Sequence, residues 1–280
     1  MLKLEGITKT FSGTGMKAVD SLDLEIRDGE IFGFLGPNGA GKTTTIRILT
    51  GALGPDSGRV TIDGIDLADE PLLAKGRCGS VPDDPELWNR LKAREYLDFM
   101  GDVYGVPTRQ RRERVAELAG LFAIADVLAS SIGSFSRGMK QKLCIVGSLL
   151  HDPPNWILDE PMVGLDPQAA FDLKDLMRRR AGTGGCVFFS THVLEVAEKI
   201  CDRLGVIAGG RLLFTGTIGE LRTLREEARG RADSPAGDRE RGDACGGADS
   251  PAGGEARGGA RGEAGAESLE RLFLDLVEDS

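Results

Sequence analysis

The eight residues Gly36 to Thr43, GPNGAGKT, satisfy every position of the pattern GxxxxGK[ST], and their types suit a cradle for phosphates. The glycines let backbone N–H groups turn inward around phosphate oxygens, and a helix starting there adds the positive end of its dipole. The Lys42 ammonium reaches the terminal phosphates, and the Thr43 hydroxyl can ligate magnesium. The dipole alone contributes only about 0.3–2 kcal/mol, so several donors and the lysine must act together. A second stretch, NWILDEP from Asn155 to Pro161, is an apolar strand ending in two carboxylates. Beside a phosphate loop it can aim Asp159 at the magnesium shell while Glu160 stands next to an attacking water as general base. A third stretch, SFSRGMKQK from Ser134 to Lys142, puts a serine ahead of basic residues and by itself reads as the start of a helix.

These groups need elements to position them. EIFGFLGPNGAGKTTTIRILTG reads as a short apolar strand, a glycine-rich turn and a helix with Ile46, Leu49 and Leu53 near one face. LKLEGITKTF, SLDLEI (Leu22, Leu24 and Ile26 on one face) and GRVTIDGIDL alternate in period two and predict strands. From Glu86 to about Ile132 the pattern is helical, with Val115, Leu118 and Phe122 recurring at helical spacing. Behind SFSRGMKQK come Met139, Leu143, Val146, Leu149 and Leu150, then the strand-like NWILDE and GCVFFSTH. Buried strands separated by a helix imply a mostly parallel sheet. LGVIAGGRLLFTG predicts a hairpin turning at Gly209 and Gly210, and His151, at a helix end, reads as structural. From about Arg225 to Glu267 the chain consists mainly of Gly, Ala, Arg, Glu, Asp, Ser and Pro, with ADSPAG repeated at Ala232 and Ala248. Such a stretch lacks the apolar surface to offset the entropy of ordering and predicts disorder. SLERLFLDLV then sets Leu269, Leu272, Phe273, Leu276 and Val277 on one helical face behind Ser268, a helix expected to dock on the body.

Composition narrows the partners. A formal net charge of -9 argues against a nonspecific nucleic-acid binder, which needs a positive field to displace counterions. The five cysteines, Cys78, Cys144, Cys186, Cys201 and Cys245, include no CxxC pair and suggest reduced thiols in a cytosol. Lys3 and Glu5 interrupt the apolar run a signal peptide would need. The longest apolar stretch, LCIVGSLL from Leu143, falls short of the roughly 18 residues of a membrane-spanning helix. If the protein works at a membrane, another chain does the spanning.

The phosphate loop, the acidic strand and SFSRGMKQK about twenty residues upstream of it together resemble the ATP-binding subunit of ABC transporters, over about Leu2 to Leu224 plus the terminal helix. Further matches fall in family order: GLDP at Gly164 to Pro167 resembles the D-loop, and STH at Ser190 to His192 the switch-histidine segment. The resemblance implies an α/β fold: a P-loop NTPase core with a mostly parallel sheet, an N-terminal antiparallel β subdomain and a helical subdomain at about 86–135. The ATP-binding domain would occupy 1–224, the insertion 225–267 and the docking helix 268–280. It implies that Gly36, Pro37, Asn38, Gly39, Ala40, Gly41, Lys42, Thr43 and Thr44 hold ATP, with Thr43 and Asp159 on Mg2+, Glu160 as base and His192 sensing the terminal phosphate. Phe11 matches the aromatic on which the family stacks adenine; its alternative is a side chain that faces the core. Ser136 and Gly138 would close over ATP held by a second copy, giving a homodimer in the ATP-bound state.

Two departures stand out from the family pattern. Arg137 and Met139 replace the first glycine and the glutamine of LSGGQ, and FSRGMKQK variants resemble the branch serving exporters of drugs or lipids. In GSVPDDPELW the family's metal-reaching glutamine is replaced by Asp83, or by Asp84 if the register slips by one. The expectation is an ATPase subunit at the cytoplasmic face of the membrane, driving a separate permease and binding no nucleic acid. The alternatives are an ATP-dependent dimerisation module with little hydrolysis, and a non-transport ABC ATPase.

Overall fold

In a computed structural model of the chain, residues 1–11 and 15–223 are described. The expected low-complexity insertion, the terminal helix and Cys245 lie outside the described residues. In chain order come β1 (Leu2–Thr10), β2 (Lys17–Ile26), β3 (Ile31–Leu35), α1 (Lys42–Leu49), β4 (Ser57–Ile62), β5 (Ile65–Asp66), α2 (Pro71–Gly76) and β6 (Cys78–Val81). They are followed by α3 (Ala93–Val103), α4 (Thr108–Leu121), α5 (Arg137–Ser148) and β7 (Asn155–Leu158). Then come α6 (Pro167–Gly182), β8 (Cys186–Thr191), α7 (Leu194–Ile200), β9 (Arg203–Ala208) and β10 (Arg211–Gly216).

Two sheets result. The alternating N-terminal segments pair antiparallel in the order β2-β1-β4-β5, with Leu22, Leu24 and Ile26 buried as their spacing requires. The second sheet runs β10-β9-β3-β8-β7-β6 and is parallel except for the β9–β10 hairpin, so the fold is α/β with a mixed, mostly parallel sheet. That hairpin turns on Gly209 (φ 53°) and Gly210 (φ 80°), two successive left-handed residues of the kind that match the twist of paired strands.

The central strands are buried on both faces and sort their side chains by parity. Phe32, Phe34, Phe188 and Ile157 join one cluster with Ile46, Ile48 and Leu49 of α1 and with Ile7, Leu22 and Ile26 of the antiparallel sheet. Helix α1, which carries the lysine of the phosphate loop, is thus gripped between both sheets. It is shorter than the spacing to Leu53 suggests, because Gly51, at φ 66°, follows its end. On the opposite face, Trp156, Leu158 and Phe189 share a cluster with Tyr96, Leu97, Val115, Leu118 and Phe122 of the helical part and with Leu143, Val146, Leu149 and Leu150. Each of these side chains contributes about 1.5–3 kcal/mol on full burial.

His151 ties three elements at the end of α5. Its ring stacks on Tyr104 at 3.7 Å with planes 3° apart, and Nε2 donates to the Cys78 carbonyl at 3.1 Å. Burial pushes the imidazole down from 6.5 to about 4, aided by Arg180 and Arg114 and opposed by the carbonyl bond. The folded state therefore holds His151 neutral while the unfolded chain protonates it. Stability from this group is present above pH 6.5 and is lost as pH falls towards about 4. Urea titrations should show His151→Phe, which keeps the stack, losing up to about 2 kcal/mol less than the native chain between pH 7 and pH 4.5. Parallel losses would exclude this role.

Candidate functional site

Four parallel strands, β3, β8, β7 and β6, end at one edge of the sheet. Leu35 pairs with Thr191, Phe189 with Leu158, and Leu158 with Val81, so the residues just beyond each strand gather there. They are the phosphate loop from Gly36, His192, the pair Asp159–Glu160, and Asp83. Ligands of open parallel sheets bind at this edge.

The loop is boxed in from behind. Gly210 N–H donates to the Ala40 carbonyl at 3.0 Å, and Gly41 caps α1 at φ 107° where a methyl group would lie 2.3 Å from the Ala18 carbonyl oxygen. Only glycine meets both demands. Lys42 is buried, its Nζ donating to the carbonyls of Gly36 at 2.7 Å and Pro37 at 3.2 Å, with Glu160 Oε1 at 3.6 Å. A pocket of about 170 Å³ opens above it, lined by Ala18, Pro37, Asn38, Gly39, Gly41, Lys42, Thr43, Thr44, Asp83 and Glu160. A larger depression of about 370 Å³ lies elsewhere, between Leu53, Pro55 and Leu67, where Arg59 and Asp66 pair with each other at 2.8 Å. The smaller pocket has the convergent chemistry.

The acidic pair is held by a serine that the sequence reading assigned no role. Ser190 Oγ donates to Asp159 Oδ1 at 2.6 Å and accepts from the Glu160 N–H at 2.9 Å. Asp159 is 2% exposed, and burial raises its pKa against the hydrogen bonds of Ser190 and Thr43. Glu160 takes a left-handed φ of 45°, unusual for a residue with a side chain, and its carboxylate sits between Lys42 and His192, whose Nδ1 lies 3.0 Å from Oε1. The signal for Ser190 was a polar residue closing the apolar run CVFF. Its meaning depended on register, which pairs Phe189 with Leu158 and so sets the next residue of each strand side by side.

Ser136 caps α5, its Oγ accepting from Met139 N–H at 3.3 Å. Gly138 is pressed so closely on GLDP that a methyl group would lie 2.3 Å from the Gly164 carbonyl oxygen, and Lys142 pairs with Asp166 at 2.6 Å. Ser136 is exposed, and neither it, Gly138 nor Phe11 lines the pocket. Phe11 is 46% exposed, which excludes the alternative that it faces the core. Asp83 lines the pocket, whereas Asp84 is exposed.

A family model described as ABC transporter matches residues 19–163. The linearmycin resistance ATP-binding protein LnrL of Bacillus subtilis (strain 168) is 36% identical over 222 residues, which are 79% of this chain and 70% of that protein. Among solved structures, an ATP-binding subunit of an ABC transporter shares 32% identity over 80% of this chain and 92% of its own, with a TM-score of 0.76. A bacterial ABC transporter cassette solved as a dimer shares 25% identity over 78% of this chain and 99% of its own, with a TM-score of 0.71.

Removing the Ser190 hydroxyl leaves a buried carboxylate oxygen and the Glu160 N–H short of a partner. Ser190→Ala should lower stability by about 1–3 kcal/mol, read from the denaturant midpoint at unchanged m-value. A loss under a few tenths of a kcal/mol would mean that water replaces the hydroxyl.

Proposed function

Because this chain belongs to the ABC transporter family as an ATP-binding ATPase domain, we propose that it powers export of a drug-like or lipid substrate through a separately encoded permease, as a homodimer that closes on two ATP molecules. The observation that carries the reading is the convergence on Glu160 of a buried Lys42 and of His192, at the mouth of a phosphate loop. A drug-resistance protein among the relatives supports the export branch.

Within this reading Lys42 holds the terminal phosphate, and Glu160, its backbone pinned by Ser190, accepts the proton of the attacking water. His192, half exposed beside it, hydrogen-bonds to the same carboxylate and is placed to register the terminal phosphate. The residues present fit magnesium. Thr43 and Asp159 offer hard oxygen donors in mutual contact, with Asp83 across the pocket. Among the described residues no group of three or more His, Cys, Asp or Glu side chains could hold a metal. Water and phosphate oxygens would complete the shell of such an ion. When bound, magnesium would neutralise charge on the phosphates.

The exposed start of α5 supports the dimer. Ser136 is exposed and does not line its own pocket, and the helix N-terminus it caps is offered to a phosphate held by a second copy. No helix among the described residues is long and apolar enough to cross a membrane. A membrane partner is supported by an exposed apolar surface. Trp88, 55% exposed and five residues beyond Asp83, packs edge-on against the exposed Phe99 at 5.0 Å, and the two form an apolar patch. The subunit would then sit peripherally at the cytoplasmic face.

Glu160→Gln should retain ATP affinity within about threefold, reduce phosphate release by about two orders of magnitude or more, and accumulate an ATP-bound dimer in size-exclusion chromatography. Near-normal turnover would remove Glu160 from the role. Trp88→Ala should abolish co-sedimentation with membranes holding the permease while leaving nucleotide affinity within twofold. Undiminished sedimentation would place the contact elsewhere.

A further inference from the structure

Asp83 is shared between two demands. It is among the residues lining the phosphate-loop pocket, with Lys42 and Glu160, and its charge is felt at Asp159. Yet the same carboxylate is held by Arg137, whose Nη2 lies 3.3 Å from Oδ1 and 3.4 Å from the Asp83 carbonyl oxygen. The arginine stem lies along Gly164, where a methyl group would be 3.7 Å from Cγ. One turn on, Lys140 Nζ donates to Asn89 Oδ1 at 2.9 Å. Two basic side chains at the start of α5 thus strap the segment from Asp83 to Asn89.

Both partners of the Arg137–Asp83 pair are about half exposed, 53% and 45%. Such a pair shifts an equilibrium by only about 1.5- to 5-fold, so a doubly charged cation in the pocket can displace it. Arg137 is also the first residue of α5, next to the Ser136 cap, where extra positive charge strengthens the pull of a helix start on an anion.

We propose that Arg137 is a positioning residue that keeps Asp83 turned towards α5, and that magnesium–nucleotide binding exchanges this partner. Asp83 passes to the cation shell, and the released guanidinium adds its charge to the surface at Ser136. Filling a chain's own phosphate loop thereby primes the helix start it offers to a second copy, and by linkage each event favours the other. The inference rests on the reading of Asp83 as facing the metal.

Of the two tryptophans, Trp156 is fully buried and Trp88 lies on the strapped segment, so intrinsic emission reports its release. With the intact chain and a non-hydrolysable ATP analogue at fixed concentration, magnesium is titrated and emission followed, with binding of the analogue measured separately by calorimetry. Arg137→Met, which keeps most of the stem, should lower the magnesium concentration at half-change by about two- to fivefold, and Arg137→Lys should restore most of the native value. In an Asp83→Asn background the methionine substitution should have no effect. An unchanged or raised midpoint, or an equal shift in both backgrounds, overturns the exchange while leaving the phosphate-loop reading intact. Failure of the intact chain to bind the analogue at any magnesium concentration overturns that reading, and the exchange with it.

Discussion

The ammonium of Lys42 is buried, and its burial constrains everything near it. A cation removed from water must be met by acceptors, and here these are the Gly36 and Pro37 carbonyls, with Glu160 further off. The carbonyls can point inward only because the loop curls back on itself. The curl needs Gly41 at a left-handed φ against the Ala18 carbonyl and a backbone bond from Gly210 to Ala40. Thus β2 and the β9–β10 turn, remote in sequence, form the rear wall of the site. The two clusters that clamp α1 and the sheet keep that wall fixed.

The second organising feature is the start of α5. It touches GLDP through Gly138 and Lys142, and the loop beyond β6 through Arg137 and Lys140. Its other end runs into the core beneath Trp156, whose Nε1 donates to Ser148 Oγ at 3.0 Å. A helix fixed at its base, whose tip is tied to the loop beyond β6 by one exposed, weak ion pair and one hydrogen bond, can hold one arrangement in the absence of ligand and exchange partners when a stronger charge arrives. Weak ties suit this role better than strong ones.

Local chemistry was legible in the sequence. GPNGAGKT and NWILDEP stood out by residue type and meet at one edge of the sheet, the alternation of SLDLEI gave the buried face of β2, and Gly209–Gly210 gave the hairpin. Partnerships across the fold were not legible. Ser190 gains its place from β7–β8 register, and only the pocket it lines sets Asp83 apart from the exposed Asp84. Phe11 could be read as core or ligand-facing until its exposure was known. Period and residue type report which face a side chain takes, whereas the neighbour it meets depends on strand order, which no local window contains.

A chain with a net charge of -9 that binds a polyphosphate must do so by local arrangement. Two cations at this site are already opposed by carboxylates, Lys42 by Glu160 and Arg137 by Asp83, and Asp159 adds a third acid. Bare nucleotide entering this site would meet at least as much negative charge as positive, and only the backbone donors of the loop would favour it unreservedly. A divalent cation arriving with the phosphates reverses that balance, because Asp159 and Asp83 change from repelling neighbours into partners. On the proposed function, then, preference for metal-bound over free nucleotide follows from the number and placement of these acids, and Arg137 sets how readily one of them is released.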